Sequence, residues 1–496
     1  MKRLFFPAVM LAGGLVLAQV LFTILVYISN LELLTEIDAL RTSGYLVVPN
    51  ETVTRELDRI APAACGAFFF TLTAGTALTL AAFFAAWLKI RVFPKSRAYK
   101  AFVASVWLAA AAACNLQGWN PGFTIVFLLV PALVFAFTVK WMPGRQPGDA
   151  CIRAAHVIAV AAAALGWLPC LQPDVFLDIR DRVLLSNPAG QKVNEFYYNY
   201  TLYAAELIKP PAGRLINACR IKSKSAGTDE KLIARKLIEF DWLPVSNPEA
   251  ANLTVITDGS HLEFAMRGRV IFKARLNNFF SEPRKTLAEF SQQADDRKYL
   301  RRFTLAGLTT AFPLGLYIFL HAGLCLAFWF IKSIPGRSAA ASACCLAVAV
   351  AFLLPFYGAQ VNVSNKESIK MLLDSENWYD QRNALKAVAE NNYDPLTFDT
   401  GGKLARSPRI PVRYWLARTL GGSNSPRART MLLSMTNDPS PNVACMAYAS
   451  LEKTGNRQTL KFILERIRKI DHWYVQQYAY KALRKLGWKQ ERLNTD

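Results

Sequence analysis

Four stretches of the C-terminal quarter are versions of one phrase: WYDQRNALKAVAE at 378–390, IPVRYWLARTL at 410–420, SPNVACMAYASLEKTG at 440–455 and WYVQQYAYKALRKLG at 473–487. Their anchors, Asp380, Val412, Val443 and Val475, lie 32, 31 and 32 residues apart. After each anchor comes a run of apolar or small residues at helical spacing: Ala384, Ala387 and Val388; Leu416, Thr419 and Leu420; Ala447, Ser450 and Leu451; Ala479, Ala482 and Leu483. A fixed period of this length means stacked supersecondary units rather than a closed globule. Such a stack offers an extended surface for gripping something and is seldom a catalytic centre.

Each unit reads as two antiparallel helices. In the third, Pro426 to Met435 forms the first helix, and Asp438-Pro439-Ser440-Pro441 ends it and starts the next. Ser440 is then an N-cap and Pro441 the first helical residue. Gly455 and Gly487 stand where a left-handed C-cap is expected. The second unit has a poor first helix, Asp399 to Arg406, interrupted by Gly401-Gly402, and the first has Asp380 where the others are apolar. The pattern resembles the HEAT/armadillo class, most closely its short bacterial HEAT-like repeats, over about 365–488. The resemblance implies an α-solenoid and says nearly nothing about the partner.

The remainder is too apolar for a soluble chain. Of 496 residues, 53% are hydrophobic, and mean hydropathy lies just above zero. A mixture of membrane and water-facing parts follows. Seven stretches without Asp, Glu, Lys or Arg are long enough, or nearly so, to cross about 30 Å of hydrocarbon: 5–28, 61–88, 101–118, 122–139, 154–171, 303–331 and 338–358. The first follows Lys2-Arg3 like a signal peptide, but its length and the lack of a small-residue cleavage site favour an uncleaved anchor.

Lysine and arginine set the expected orientation. Lys89, Arg91, Lys95, Arg97 and Lys100 fill one turn, Lys140, Arg145 and Arg153 another, and Lys332 and Arg337 a third. These turns and the N-terminus are expected in the cytoplasm. Residues 29–60, 172–302 and 359–496 are then expected on the far side, the periplasm in a Gram-negative cell. The expected parts are a membrane domain at 1–171, an extracytoplasmic α+β domain at 172–302, two closing spans at 303–358 and the repeats at 359–496. Within 172–302, Glu230 to Phe240 reads as a helix, and His261 to Arg275 as a hairpin turning at Arg267-Gly268-Arg269. Phe280 to Arg302 reads as a helix running into the sixth span.

Signals for catalysis are poor. No phosphate-binding glycine loop, zinc-protease helix or nucleophile elbow is present, and the nine cysteines show no metal-ligand spacing. No cofactor is expected. His156 and His321 fall inside spans, and an ionisable group at that depth is a functional candidate by default. His321 is the deeper of the two. The absence of intramembrane carboxylates, lysines and arginines weighs against an ion-coupled transporter.

The formal charge is +22. The basic residues Arg406, Arg409, Arg413, Arg418, Arg427 and Arg429 cluster in the second and third repeats and form the expected contact face. On the far side of a membrane the expected partners are proteins of the membrane or periplasm, anionic lipid or acidic glycan, and not nucleic acid. Trp378-Tyr379 and Trp473-Tyr474 occupy matching positions, either as interface anchors or as packing between repeats. The leading expectation is a non-catalytic subunit of a cell-envelope membrane complex. One alternative is a membrane enzyme or transfer protein acting on a lipid-linked glycan or lipid, with Glu36 and Asp38 of the first outer loop as candidate catalytic residues. Another is an accessory subunit of a transporter.

Overall fold

A computed structural model describes residues 2–116, 118–144, 149–170, 175–223, 229–357, 365–398 and 401–491. Arg145, Asp399 and the boundary positions 171, 172, 358 and 359 lie outside them. The N-terminal part is built from long helices: α1 (Lys2–Thr42), α2 (Ile60–Arg91), α3 (Arg97–Ala113), α4 (Pro121–Trp141) and α5 (Asp149–Trp167). The next, α6 (Pro188–Ile208), follows a short π-helical turn at Arg180–Leu184 and is capped by the Asn187 side chain on the Gly190 amide.

Among the described residues, five helices are long and apolar enough to cross a membrane: Leu4–Thr42, Ile60–Arg91, Pro121–Trp141, Lys298–Ala327 and Ile334–Leu354. The expected stretches 101–118 and 154–171 fall on shorter helices. The first of these, α3, has 17 residues, about 25 Å at 1.5 Å per residue, short of a hydrocarbon core of about 30 Å. Within α5 the apolar part is Ile152–Trp167. The basic turns meet one another: Arg91 donates to the Pro143 carbonyl at 2.8 Å, and Lys89 to the carbonyls of Phe93, Pro94 and Ser96.

Five strands form a sheet ordered β2-β1-β3-β4-β5, with β1 at Asn217–Ser223, β2 at Trp242–Pro244, β3 at Leu253–Thr257, β4 at His261–Met266 and β5 at Arg269–Arg275. The pairs β1–β2 and β1–β3 are parallel, the others antiparallel. Helix α7 (Asp229–Ile238) makes the crossover between β1 and β2 that parallel strands require. The β4–β5 turn is the expected one. Arg267 and Gly268 both have positive φ, 50° and 77°, as a two-residue type I′ hairpin demands. The expected single helix over 280–302 is instead broken. Pro283 starts α8 (Pro283–Gln293), and a fresh helix, α9 (Lys298–Ala327), begins after Arg297. The break is held by Arg301, which donates to Asp295 and to the Ile208 carbonyl. Helix α10 (Ile334–Tyr357) closes the membrane-type part.

The C-terminal part is four helix pairs: α11 (Lys366–Asp374) with α12 (Trp378–Glu390), α13 (Gly401–Ala405) with α14 (Ile410–Leu420), α15 (Pro426–Met435) with α16 (Pro441–Thr454), and α17 (Arg457–Arg466) with α18 (Trp473–Lys485). The small residues of each second helix, Ala384, Ala417, Ala447 and Ala479, are fully buried and let adjacent pairs approach. Asp380, the polar anchor, accepts from the Ser375 hydroxyl at 3.0 Å and so tightens the turn into α12. Gly487 has φ +92°, the left-handed C-cap expected of it. Gly455 does not: its φ is −69° and ψ 160°. Space requires glycine there, because a Cβ would sit 2.6 Å from the Leu451 carbonyl and 2.9 Å from Leu486.

One hydrophobic cluster runs from α1 and α2 through α6 into the last two repeats, joining Phe22, Ile37, Phe70 and Tyr203 to Tyr448, Trp473, Ala479 and Leu483. The repeats are thus packed onto the rest of the chain. They are not an arm on a linker.

Candidate functional site

The second helices α12, α14, α16 and α18 stand side by side, and the face they share is covered by residues 178–203. Helical spacing decides which side chains meet it. Positions one before, two after and three after each anchor lie on one stripe, and these carry Tyr379 and Arg382, Tyr414 and Trp415, Asn442 and Cys445, and Tyr474 and Tyr478.

At the first two repeats the contact is ionic and buried. Asp181, fully inaccessible, sits in the π-helical turn Arg180–Leu184. Its Oδ2 accepts from Arg382 Nε at 3.2 Å, from Arg382 Nη2 at 3.1 Å and from Trp415 Nε1 at 2.7 Å. Its Oδ1 accepts from Arg180 Nε at 2.8 Å. Arg382 also donates to Asp178, and the Arg180 guanidinium lies 3.7 Å above the Tyr414 ring. A buried carboxylate with every lone pair engaged is tolerable; one stripped of its partner is not.

Further along, the contact changes character. Asn194 of α6 and Asn442 of α16 exchange side-chain amide bonds of 2.8 and 3.3 Å, both residues buried. At the fourth repeat, Tyr474 lies 4.9 Å from the Tyr198 ring and shares a 2.8 Å hydrogen bond with Thr201. Trp473 packs edge-on against Tyr203. His472 lies 6.4 Å from both the Tyr198 and the Tyr474 rings. Burial lowers its pKa below the usual 6.5, with Asp471 opposing the shift. Three clamps tie this end to the sheet and to the segment after α1. Asp241 accepts from Tyr480 and Arg484, the Asn50 amide donates to Gln476 at 2.9 Å, and Gln490 pairs with the Leu46 backbone.

The residues singled out in the sequence are distributed as follows. Arg406, Arg409 and Trp378 come together in an open cleft of about 810 Å³, with Lys403 and Glu376 also on its wall. Arg413 makes a two-pronged pair with Asp438, at 2.7 and 3.0 Å, and donates to the Ser407 carbonyl. Arg429 donates to the Thr454 carbonyl at 3.0 Å. Arg418 is exposed over the Trp415 ring at 4.7 Å, and Arg427 is exposed. Tyr379 lies 5.7 Å from Trp378. His321 is buried and meets the Ser338 hydroxyl at 3.2 Å, with the His156 ring 4.5 Å away. Glu36 and Asp38 face different surroundings. Glu36 is buried, accepting from the Ala218 amide at 2.8 Å and from Arg214 at 3.1 Å, whereas Asp38 is exposed and paired with Arg41. Among the described residues no group of three His, Cys, Asp or Glu is placed to hold a metal ion.

Sequence reasoning passed over Arg382, Asp181 and Arg182. The run Asp178-Ile-Arg-Asp-Arg182 has the look of a solvated charged turn, and only the fold buries it.

Residues 402–484 match the family model for HEAT repeats. No curated protein and no solved structure matches the chain.

Proposed function

We propose that this chain is a non-catalytic scaffold subunit of a cell-envelope membrane complex, holding a protein partner on its HEAT-like repeats. The observation that carries the reading is the docking of the array. Its inner face is filled by residues 178–203 of the same chain, so the array is fixed in place and its outer helices remain for a partner. The outer helix α17 offers exposed Arg457, Lys461 and Glu465, followed by exposed Arg468 and Lys469. Segments 29–60, 172–302 and 359–496 contact one another through Glu36–Ala218, Asn50–Gln476 and Tyr480–Asp241. Such contact is what a common location on one side of a membrane requires; which side that is rests on the lysines and arginines of the turns alone. The proposed placement is a multi-pass inner membrane protein with these three segments outside the cytoplasm.

Truncation at the start of the repeats is a poor test, because it would strip the cover from Asp181 and from the cluster around Tyr203. Charge reversal on the outer helix is cleaner. Full-length protein and the variant Arg457→Glu/Lys461→Glu are purified in mild detergent, and co-purifying proteins are identified by mass spectrometry. A stoichiometric partner held by the natural chain and lost from the variant is expected. A natural chain that carries no stoichiometric partner would sink the reading.

A further inference from the structure

Arg182 is a buried guanidinium that, among the described residues, has no counter-ion of its own. Its side chain is 8% exposed, and its closest carboxylate oxygen, on Asp178, is 3.9 Å away. That same oxygen is taken by Arg382. Among the described residues, Arg180, Arg182 and Arg382 pair only with Asp178 and Asp181, one positive charge in excess. Among the described residues, Arg182 Nε and Nη1 have no hydrogen-bond acceptor, and the buried hydroxyl of neighbouring Tyr379 has no partner either. The guanidinium lies between two rings, Tyr379 at 5.1 Å and Phe356 at 5.5 Å. Such ring contacts offset only part of the cost of desolvating an ion. Two unsatisfied donors side by side, under surplus positive charge, call for an anion.

The position says which anion. Phe356 is in the last turn of α10, and its ring lies 5.6 Å from Trp167, the last residue of α5. The donors therefore stand where two apolar helices end, and an aromatic pair there marks the headgroup level of a bilayer. Beyond Tyr379 the cleft begins at Trp378, its wall carrying Lys403, Arg406 and Arg409 against Glu376. An anion arriving with acyl chains would lay them along α5 and α10 and leave its phosphate at Arg182. From this we infer that Arg182 and Tyr379, backed by the cleft cations, form a site for the phosphate of an anionic phospholipid. The inference rests on the membrane reading proposed above.

The test uses the full-length protein. Membranes are first washed with alkaline carbonate. The purified protein is then titrated with phosphatidylglycerol or phosphatidylcholine and followed by native mass spectrometry. A preference of roughly tenfold or more for phosphatidylglycerol is expected from charge-assisted bonds to one phosphate. Arg182→Met removes it, and Arg406→Ser/Arg409→Ser reduces it. Should Arg182→Met fail to fold, Tyr379→Phe carries the test, since it deletes only the unpartnered hydroxyl. An unchanged preference in that variant overturns the proposal. So does equal binding of the two lipids, full competition by inorganic phosphate, or binding of a polyglutamate peptide in place of the lipid. Release of the protein by carbonate refutes the membrane reading itself. Retention without lipid preference refutes the lipid site alone.

Discussion

The two ends of the repeat array meet the same neighbouring segment by opposite physics. At the first two repeats, Arg382 and Trp415 converge on the single carboxylate of Asp181. At the fourth, Trp473 and Tyr474 lie against Tyr197, Tyr198 and Tyr203, with one hydroxyl bond to Thr201. The ionic end is directional and intolerant, because losing one partner strands another in a dry site. The aromatic end is graded, because area is lost in portions. One fold unit, repeated, can therefore be fastened firmly at one end and adjustably at the other.

Substitutions separate the two ends. Arg382→Met should be the most damaging, destabilising by about 3–5 kcal/mol. The readout is hydrogen exchange across α12 and α14 of the detergent-solubilised chain, which should accelerate at least a hundredfold. Adding Asp181→Asn, which removes the stranded charge yet still offers an oxygen to Trp415 or Arg180, should restore part of the protection. If it does not, the damage comes from lost packing and the ionic description of this end fails. Asn442→Ala lies between the extremes and leaves the Asn194 amide unmatched, at about 1–3 kcal/mol. Its effect should centre on α16 and α6. Tyr474→Phe keeps the ring and deletes only the hydroxyl facing Thr201, so about 1 kcal/mol or less is expected. A loss as large as that of Arg382→Met would erase the contrast.

The mildest test uses pH. Because burial lowers the pKa of His472, the folded state binds fewer protons there than the unfolded one. Stability from this ring is complete above its usual value of 6.5 and is lost as pH falls below it. Exchange in α18 should therefore rise on mild acidification, while α12 stays protected. His472→Phe should remove the pH response. A uniform response of both ends would show that the array opens as one unit.

The period of the repeats was legible because it is written in local terms. Ala447 and Ala479 must be small for helices to approach, and Pro441 marks a helix start. Where the sequence misled, a local cue had more than one cause. Gly455 looked like a conformational cap but is needed for clearance beside Leu486. The expected helix over 280–302 is interrupted because Arg301 is drawn to Asp295 and to the Ile208 carbonyl. The face itself was illegible for a simpler reason. Asp181 and Arg382 are 201 residues apart in the chain, and nothing in either neighbourhood tells a buried pair from two solvated charges. Arg406 and Arg409 were readable as part of one basic run and Trp378 as a separate aromatic candidate, and the fold gathers them into one cleft. Arg413 belonged to the same run, yet Asp438 claims it.

The first helix, α1, has 41 residues, about 60 Å of continuous rod at 1.5 Å per residue. A hydrocarbon layer is about half as thick. On the proposed reading the second half stands clear of the bilayer as a ruler. Its graduation is fixed where Glu36 grips the start of β1, an inner strand of the sheet. Shortening the rod by seven residues, nearly two whole turns, would lower everything it carries by about 10 Å with little rotation. Shortening it by two would swing Glu36 to the opposite side of the rod. The height of the repeats above the membrane is in this sense counted out in residues of a single helix.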